Sequence, residues 1–306
     1  MPSPTTDIPW LSCLVREIAT DLAGRSVRIL RHADRPRIWV DGGSDRSWTA
    51  DLTPGSARLY RARPSGEIGP GEEWREWGGR RTEGAELVSA GVLGCDRALT
   101  FELHWSSRLG EEFSTHLILE LGGRHTNAVI LDALSKKIVD VIRPVSGKVN
   151  RHREVLPGRR YEPPPRLGRA RIDEPWDWEA GADDTLRDFL RTRFLGGSAW
   201  WFDELCERCG LDGEVLAADT TEENRHTLER TALLMIRDAA PHILFDSAGD
   251  PVDHIGHELT CQADVTCERA DSCADAIDRV WGARERVQER THRLPMLWVV
   301  RYRCLP

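Results

Sequence analysis

Three consecutive prolines, Pro163–Pro165, separate two stretches of this sequence that have different hydrophobic periodicities. Such a run joins neither a sheet nor a helix, because proline has no backbone N–H and its ring fixes φ. Before the prolines, apolar and polar residues alternate as in a half-buried strand. After them, apolar residues recur at helical spacing. The sequence therefore predicts an α+β chain in which a β-rich part precedes a helical one.

The β-rich part is predicted to begin with one helix over Trp10–Leu22, where apolar residues have helical spacing and Gly24 follows as a stop signal. Arg63–Gly79 is rich in Gly, Pro and Glu and is predicted to be a loop. Residues with a period of two predict the strands of this part: Ser26–Leu30, Arg37–Val40, Trp48–Leu52, Ala57–Tyr60, Thr100–Trp105, His116–Leu121, Thr126–Leu131 and Lys137–Ile142.

The second part is predicted to be mainly helical. Its apolar spacing predicts helices over Asp184–Phe194, Ala199–Cys209 and Thr221–Ala240. A short β segment begins with His242–Phe245, and a final helix runs from Ser272 to about residue 292. These changes divide the chain into residues 1–172, 173–240 and 241–306.

The charge of the chain is unevenly distributed. The net charge is −8, which by itself argues against a nucleic-acid partner. Between Arg143 and Arg171, however, nine basic residues stand against two acidic ones. A phosphate backbone responds to local charge, because salt screens distant charges within about 8 Å. This basic band predicts an anionic partner such as RNA.

Compartment and metal content follow from the apolar runs and the cysteines. The apolar runs are too short to span a bilayer, and the amino terminus lacks the basic and apolar regions of a signal peptide. Eight scattered cysteines lack the density of a disulfide-stapled secreted domain. The Cys206–Cys209 pair has no second pair at zinc-ligand spacing. We therefore expect a cytoplasmic protein with no membrane partner, metal or cofactor.

Two polar segments are candidates for RNA contacts. Gly122–Asn127 places two glycines, an arginine, a histidine and an asparagine between two strands, which suits phosphate and base contacts. An ordinary hairpin turn with solvated side chains is the alternative. Asn150–Tyr161 interleaves arginines with His152 and Tyr161, which suits phosphate pairing and base stacking. A solvated charged loop remains open for that segment.

A glycine pair also precedes the second predicted helix of the helical part. Leu195–Ser198 suits the turn of a helix-hairpin-helix unit, in which backbone N–H groups meet a phosphate at a helix start. A plain N-cap at Ser198 explains the same residues. Both interpretations stay open on the sequence alone.

The segment Leu117–Pro165 resembles the amino-terminal region of the NFACT family, also called fibronectin-binding protein A or RqcH-like. Gly123–Asn127 match the family's Gly-Arg-His-Ser-Asn with threonine at the fourth place. Arg153–Pro165 match its Arg-Glu-Val-Leu-Pro-Gly-x-x-Tyr-x-Pro-Pro-Pro ending almost throughout. Leu14–Arg25 is similar to its first helix, and Gly94–Arg97 to its Gly-x-Asp-Arg signature.

The resemblance implies a fold and a function. The implied fold is a formamidopyrimidine-glycosylase-like β-rich domain, then a helix-hairpin-helix unit, then a short β-plus-helix segment. The implied function is non-enzymatic RNA binding, in which the chain engages tRNA and/or the large ribosomal subunit in ribosome-associated quality control. The family's second helix aligns with Glu76–Thr82, where paired glycines disfavour a helix.

The resemblance also implies which residues contact RNA. Asp96 and Arg97 match a pair implicated in tRNA engagement in family members. The specific contacts are expected from the residues of the two matching motifs: Asp96, Arg97, Gly123, Arg124, His125 and Asn127. The salt-dependent phosphate contacts are expected from four arginines: Arg151, Arg153, Arg159 and Arg160. No catalytic residue is expected.

Two alternatives remain. Relatives continue into a coiled coil and a further RNA-binding domain, whereas this sequence ends at Pro306, so a shortened family member is expected. That favours a stand-alone nucleic-acid or protein binding module without a ribosomal role. The other alternative is a residual glycosylase-like DNA-binding protein. Met1-Pro2 suits the proline nucleophile of such enzymes, but Ser3–Asp7 lacks their glutamates.

Overall fold

The computed structural model describes residues 4–43, 46–61, 74–94, 97–123, 125–166, 168–179, 181, 183–261 and 264–286. The first part contains one helix and ten strands: α1 (Ile8–Leu22), β1 (Ser26–His32), β2 (Arg37–Asp41), β3 (Ser47–Asp51), β4 (Arg58–Tyr60), β5 (Trp74–Glu76), β6 (Ala85–Val92), β7 (Ala98–Ser106), β8 (Glu112–Glu120), β9 (Asn127–Asp132) and β10 (Ile138–Val141). The predicted first helix and its following strands are confirmed.

The ten strands form one antiparallel sheet. Nine of them follow the order β10-β9-β8-β7-β6-β1-β2-β3-β4, and β5 lies off this path and pairs with β1. Strand β1 pairs with β6 through Ser26 and Val27, with β2 over Arg28–Arg31, and with β5 over Leu30–His32. It therefore joins the two halves of the sheet. The apolar side of α1 packs against this sheet, so the alternating strand residues and the helix bury each other.

Residues 63–73 of the predicted loop over Arg63–Gly79 lie outside the described residues. The prediction is wrong for Trp74–Glu76, which forms strand β5 on β1. Three residues are too few to show a period of two. The Trp74 ring contacts the ring of His32 edge-on at 5.2 Å, which fixes the strand by packing. After β5 the chain makes a short 3-10 turn over Gly79–Arg81, in agreement with the expectation that glycines prevent a helix there.

The second part is built from three capped helices and a two-strand ladder. Its elements are β11 (Ala170–Arg171), α2 (Leu186–Arg193), β12 (Phe194–Leu195), α3 (Ala199–Arg208) and α4 (Glu222–Arg237). Side chains of Thr185, Ser198 and Thr221 accept a backbone N–H at the starts of α2, α3 and α4. Aromatic residues from these helices form a core of their own around Phe189 and Trp201. The predicted helices are confirmed.

The last part is a three-stranded sheet and a helix: β13 (His242–Phe245), β14 (Pro251–Ile255), β15 (Thr266–Arg269) and α5 (residues 273–286). Strand β13 lies between β14 and β15. Apolar side chains of β13 and α5, including Ile243 and Ile277, belong to the same hydrophobic core as α1. The last part therefore shares its core with the first. In the described residues, no helix is long and apolar enough to cross a membrane.

Candidate functional site

A cleft of about 350 Å³ lies where turns of the large sheet meet the chain before α1 and the start of α3. The chain before α1 forms one wall of this cleft, and the β3–β4, β6–β7 and β8–β9 turns of the large sheet form another. The third wall is formed by the chain before β11, by α2 and by the start of α3. Residues from each wall line it: Thr5, Asp7, Gly55, Arg97, Gly123, Arg169, Arg191, Gly196, Gly197 and Ser198. We call this space the Arg97 cleft.

Backbone hydrogen bonds hold the three sheet turns side by side. The Leu121 N–H donates to the Arg97 carbonyl at 2.7 Å, which joins the β6–β7 turn to the chain after β8. The Gly55 N–H donates to the Gly123 carbonyl at 3.0 Å. Arg97 has a φ of 50°, a left-handed conformation that costs energy for a residue with a Cβ atom. The fold therefore holds Arg97 at the cleft in a strained backbone conformation.

The helix wall is fixed by close backbone packing. The Ile8 N–H donates to the Gly196 carbonyl at 2.7 Å, so the starts of α1 and α3 are joined. A Cβ atom on Gly196 would lie 2.2 Å from the Ile8 Cδ1 atom, and its φ of 96° also requires glycine. Ser198 caps α3 by accepting the Trp201 N–H at 3.2 Å. The positive end of the α3 dipole therefore lies at the cleft.

A buried carboxyl group connects the two helix starts. Asp7 accepts the Trp10 N–H at 3.0 Å and the Ser198 N–H at 3.3 Å. Burial raises the pKa of Asp7 from 3.8 to about 6, against the lowering effect of these hydrogen bonds. Asp7 thus links the amino-terminal segment to the helical part beneath the cleft.

Three arginines supply positive charge to the cleft. Arg97 comes from the sheet, Arg169 from the chain before β11, and Arg191 from α2. The Arg191 Nη2 atom lies 2.9 Å from both carboxylate oxygens of Asp203, so that pair is partly neutralised. In the described residues, no group of three His, Cys, Asp or Glu side chains is arranged to hold a metal ion. Arg97, Arg169 and the start of α3 place positive charge around a cleft whose lining also includes the Asp7 carboxyl, an arrangement that can bind an anion.

The structure brings part of the predicted contact set to this cleft. Arg97 and Gly123 line it, and His125 is exposed close to Gly123, with its N–H donating to the Gly122 carbonyl at 2.9 Å. Asp96 and Arg124 lie outside the described residues. The two matching turn motifs are therefore neighbours in space although 26 residues separate Arg97 and Gly123 along the chain.

Asn127 holds the backbone together at the start of β9. Its side chain is buried, donates to the Arg143 carbonyl at 2.9 Å and accepts the Arg143 N–H at 3.0 Å. Its oxygen also accepts the Ala128 N–H at 3.0 Å. This geometry gives Asn127 a positioning role, since its amide group is satisfied within the protein.

Arg153 also points into the protein. Its guanidinium forms a bidentate ion pair with Glu120, with Nη1 at 3.0 Å from Oε2. It also donates to the Glu162 carbonyl and lies over the Tyr161 ring at 5.1 Å. The side chains of Arg153 and Glu120 are 9% and 3% exposed, which leaves little room for a phosphate at that guanidinium. Sequence reasoning missed the partner of Arg153, which is Glu120, the buried acid at the end of β8.

The remaining predicted arginines are not among the residues that line the cleft. Arg151, Arg159 and Arg160 are exposed, and Arg159 is 3.4 Å from Glu154. The backbone of Arg160 forms a β-bridge with Lys137, just before β10 and beside the last residue of β9. Gly123, in contrast, comes shortly before the first residue of β9. The six residues of β9 therefore separate Arg160 and Lys137 from the Arg97 cleft. Arg159 and Arg160 therefore form a group separate from the residues at the cleft.

Sequence reasoning did not single out Arg169, Arg191 or the segment before α1 as lining residues. Arg169 belongs to the basic band, and the Gly196–Ser198 motif was noted, so both carried a signal. Arg191 looks like any other polar residue on an amphipathic helix, so the sequence gives no signal that it lines a cleft.

A large antiparallel sheet joined to a capped helical unit across a basic cleft defines an α+β binding architecture. The sequence profile of the NFACT N-terminal and middle domains matches residues 80–296. The chain therefore belongs to the NFACT family.

Two curated relatives are both described as "Rqc2 homolog RqcH". The protein of Bacillus subtilis (strain 168) is 25% identical over 233 residues, which cover 70% of this chain and 38% of the relative. The protein of Streptococcus suis (strain 05ZYH33) is 32% identical over 83 residues, which cover 27% of this chain and 15% of the relative. The chain thus matches well under half the length of either relative.

Solved structures have the same fold. The N-terminal part of the fibronectin/fibrinogen-binding protein of Streptococcus suis aligns with a TM-score of 0.67 at 17% identity, covering 91% of this chain and 99% of that one. The fibrinogen-binding protein of Staphylococcus aureus aligns with a TM-score of 0.65 at 19% identity, covering 90% and 98%. At these identities the likeness establishes the fold alone.

Proposed function

We propose that this chain is an RNA-binding protein that engages tRNA and/or the large ribosomal subunit in ribosome-associated quality control of stalled nascent chains. The observation that carries this proposal is the Arg97 cleft, which joins two family motifs and the start of α3 around three arginines. Membership of the NFACT family and similarity to RqcH proteins support it. The proposed role is cytoplasmic and requires no catalysis or cofactor.

The proposed contact is between one phosphate of the RNA and the two positive features of the cleft. A guanidinium group pairs with phosphate oxygens through charged hydrogen bonds, and the free N–H groups of a helix start add to the attraction. Gly123 has no side chain to obstruct a backbone at this turn. His125 is exposed next to it and is available to stack on or hydrogen-bond to a base.

The helical part has a matching role in this proposal. Helices α2 and α3 are joined by the Gly196–Gly197 turn, and we assign them as the helix-hairpin-helix unit of the family. The sheet and α1 would then correspond to the formamidopyrimidine-glycosylase-like domain. The cleft lies between these two units, so an RNA strand held there would contact both.

The other predicted residues divide by their exposure. Asp96 and Arg124 are proposed contacts on the basis of the family motifs. Arg151, Arg159 and Arg160 are exposed and would supply a salt-dependent phosphate contribution. Arg153 and Asn127 would act by positioning, because their polar groups are bound within the protein.

Fluorescence anisotropy with labelled tRNA tests the cleft. We expect Arg97→Ala to weaken binding about 10-fold or more, since a charged hydrogen bond contributes about 1.5–3 kcal/mol. Arg108→Ala is the matched control, because Arg108 is an exposed arginine beyond the opposite end of β7. Equal affinity of the two variants for tRNA would contradict a contact at the cleft.

Crosslinking and sequencing of bound RNA in cells separates this function from the alternatives. Recovery of tRNA or large-subunit RNA, lost with Arg97→Ala, supports the ribosomal role. Recovery of other RNAs favours a stand-alone nucleic-acid binding module, and recovery of none rejects RNA binding. Preferential binding of damaged DNA in the same anisotropy assay would instead favour the glycosylase-like alternative.

A further inference from the structure

Two buried cysteines from opposite ends of the chain meet beside α1. Cys13 lies in α1, and Cys273 is the first residue of α5. Both side chains line one cleft, and both belong to the core shared by α1, the large sheet and α5. The two thiols are therefore held together by the packing of two helices that are 250 residues apart in sequence.

The surroundings make the two thiols chemically unequal. The Arg16 Nη2 atom lies 3.8 Å from the Cys13 sulfur, so a positive charge faces that thiol. The Glu17 carboxylate accepts the Cys273 N–H at 2.6 Å, so a negative charge faces the other. The neighbouring Cys273 thiol, and then Arg16, lower the pKa of Cys13 against the effect of burial, whereas the neighbouring Cys13 thiol, burial and Glu17 raise that of Cys273. Cys13 is thus the better nucleophile.

A solvent path reaches the pair. A cleft of about 390 Å³ is lined by both cysteines together with Arg16 and Glu17. The Cys13 and Cys273 residues are only 5% and 1% exposed, so a small reagent would reach them through this cleft. This access differs from that of a thiol sealed inside a core.

We propose that Cys13 and Cys273 are a thiol oxidation site that forms a reversible disulfide when the protein meets a peroxide. The Cys13 thiolate attacks one peroxide oxygen, the O–O bond breaks, and the products are a Cys13 sulfenic acid and one water. The Cys273 sulfur then attacks the Cys13 sulfur, expels the hydroxyl group as a second water and loses its own proton. Two thiols and one hydrogen peroxide give one disulfide and two waters, so the two sulfurs lose the two electrons that the peroxide gains.

A second cysteine pair in the chain provides the comparison. Cys206 and Cys209 lie one turn apart at the end of α3, so sequence alone would select them as the redox pair. Burial raises the pKa of Cys206 to about 12 and also raises that of Cys209, which leaves little thiolate. We expect this pair to react more slowly with peroxide than Cys13 and Cys273.

Peptide mapping of the whole protein tests the proposal directly. Hydrogen peroxide is added, the protein is unfolded in guanidinium chloride with N-ethylmaleimide so that every remaining thiol is blocked, and it is then digested with trypsin without reduction. Cleavage releases residues 1–16 and 270–279, which carry Cys13 and Cys273 as their single cysteines. We expect these two peptides to appear linked, with a mass two hydrogens below their sum, and to separate after reduction with dithiothreitol.

Variants and the unmodified protein give independent controls. The linked peptide should persist in the Cys206→Ser/Cys209→Ser double variant and vanish in Cys273→Ser. The wild-type map needs no variant, so a failure of Cys273→Ser to fold leaves the test intact. The proposal is overturned when peroxide oxidises other cysteines while both peptides remain blocked by N-ethylmaleimide, or when Cys13 reaches the sulfinic acid without linking to Cys273.

Discussion

The guanidinium of Arg153 and the carboxylate of Glu120 form an ion pair in which both side chains are buried, with 9% and 3% exposed. The Tyr161 hydroxyl donates to the same carboxylate at 2.7 Å. Removal of Arg153 would leave the buried Glu120 charge without its main partner. We expect Arg153→Ala to lower the free energy of unfolding by about 3 kcal/mol, measured by urea denaturation.

Arg151 provides the matched control for that substitution. It lies two residues away in sequence and is exposed, so Arg151→Ala should change the unfolding free energy by less than about 0.5 kcal/mol. Similar stabilities for the two alanine variants would show that the Arg153–Glu120 pair contributes little.

The amide of Asn127 is expected to stabilise the fold without contacting RNA directly. Its three hydrogen bonds, to Arg143 and Ala128 backbone groups, span 2.9–3.0 Å. Asn127→Ala leaves buried backbone groups unsatisfied and should cost about 2 kcal/mol in unfolding free energy. His125→Ala, at an exposed neighbouring position, should leave stability unchanged and weaken tRNA binding instead. A stable Asn127→Ala protein with impaired tRNA binding would refute this division of roles.

The carboxyl group of Asp7 should make stability decrease with rising pH. Burial raises its pKa from 3.8 to about 6, so the folded chain holds this proton more tightly than the unfolded chain. The stabilising contribution is complete below about pH 4 and is lost as the pH rises through 6. Relative to Asp7→Asn, the wild type should gain about 3 kcal/mol between pH 7 and pH 4, measured by urea denaturation at each pH.

Asp34→Asn is the control for this pH series, because Asp34 is an exposed aspartate. Its stability should follow that of the wild type over the whole range. An unchanged difference between wild type and Asp7→Asn from pH 7 to pH 4 would mean that Asp7 ionises as easily in the folded chain as in the unfolded one.

The ring of His254 should have the opposite pH dependence. It is stacked on Trp10 with ring centroids 4.1 Å apart, and burial lowers its pKa from 6.5 to about 3. The unfolded chain then takes up the proton first, so this contribution is present above pH 6.5 and is lost as the pH falls towards 3. His254→Phe keeps a ring at the stacked position and should unfold at a lower pH than the wild type. Acid unfolding monitored by tryptophan fluorescence measures this difference.

His226 supplies the comparison for the acid transition. It is exposed on α4, so His226→Phe should leave the midpoint of acid unfolding in place. Coincident acid transitions for wild type and His254→Phe would exclude His254 as a source of acid sensitivity.

Local periodicity was sufficient to predict the helices and most strands, because each burial pattern is complete within one segment. Strand β5 was missed because its three residues are too short to show a period and are fixed by packing against β1. The motifs likewise indicated Arg97 and Gly123. They could not indicate that Arg153 turns inward, because its partner Glu120 lies 33 residues away and composition carries no information on burial. The same reason hid Arg191, whose position at the cleft depends on the docking of α2.

Strand β9 has a consequence for the size of the RNA that this protein can hold at both basic groups. Six extended residues cover about 17 Å from the first to the last, at roughly 3.4 Å per residue. The strand is hydrogen-bonded on both sides, by β8 and β10, so this length is fixed. An RNA segment of fewer than about six stacked nucleotides, which make five steps of about 3.4 Å, reaches only one end. The strand therefore sets a minimum length for an RNA that contacts both ends. With shorter RNAs, the cleft and the pair Arg159 and Arg160 act as separate sites.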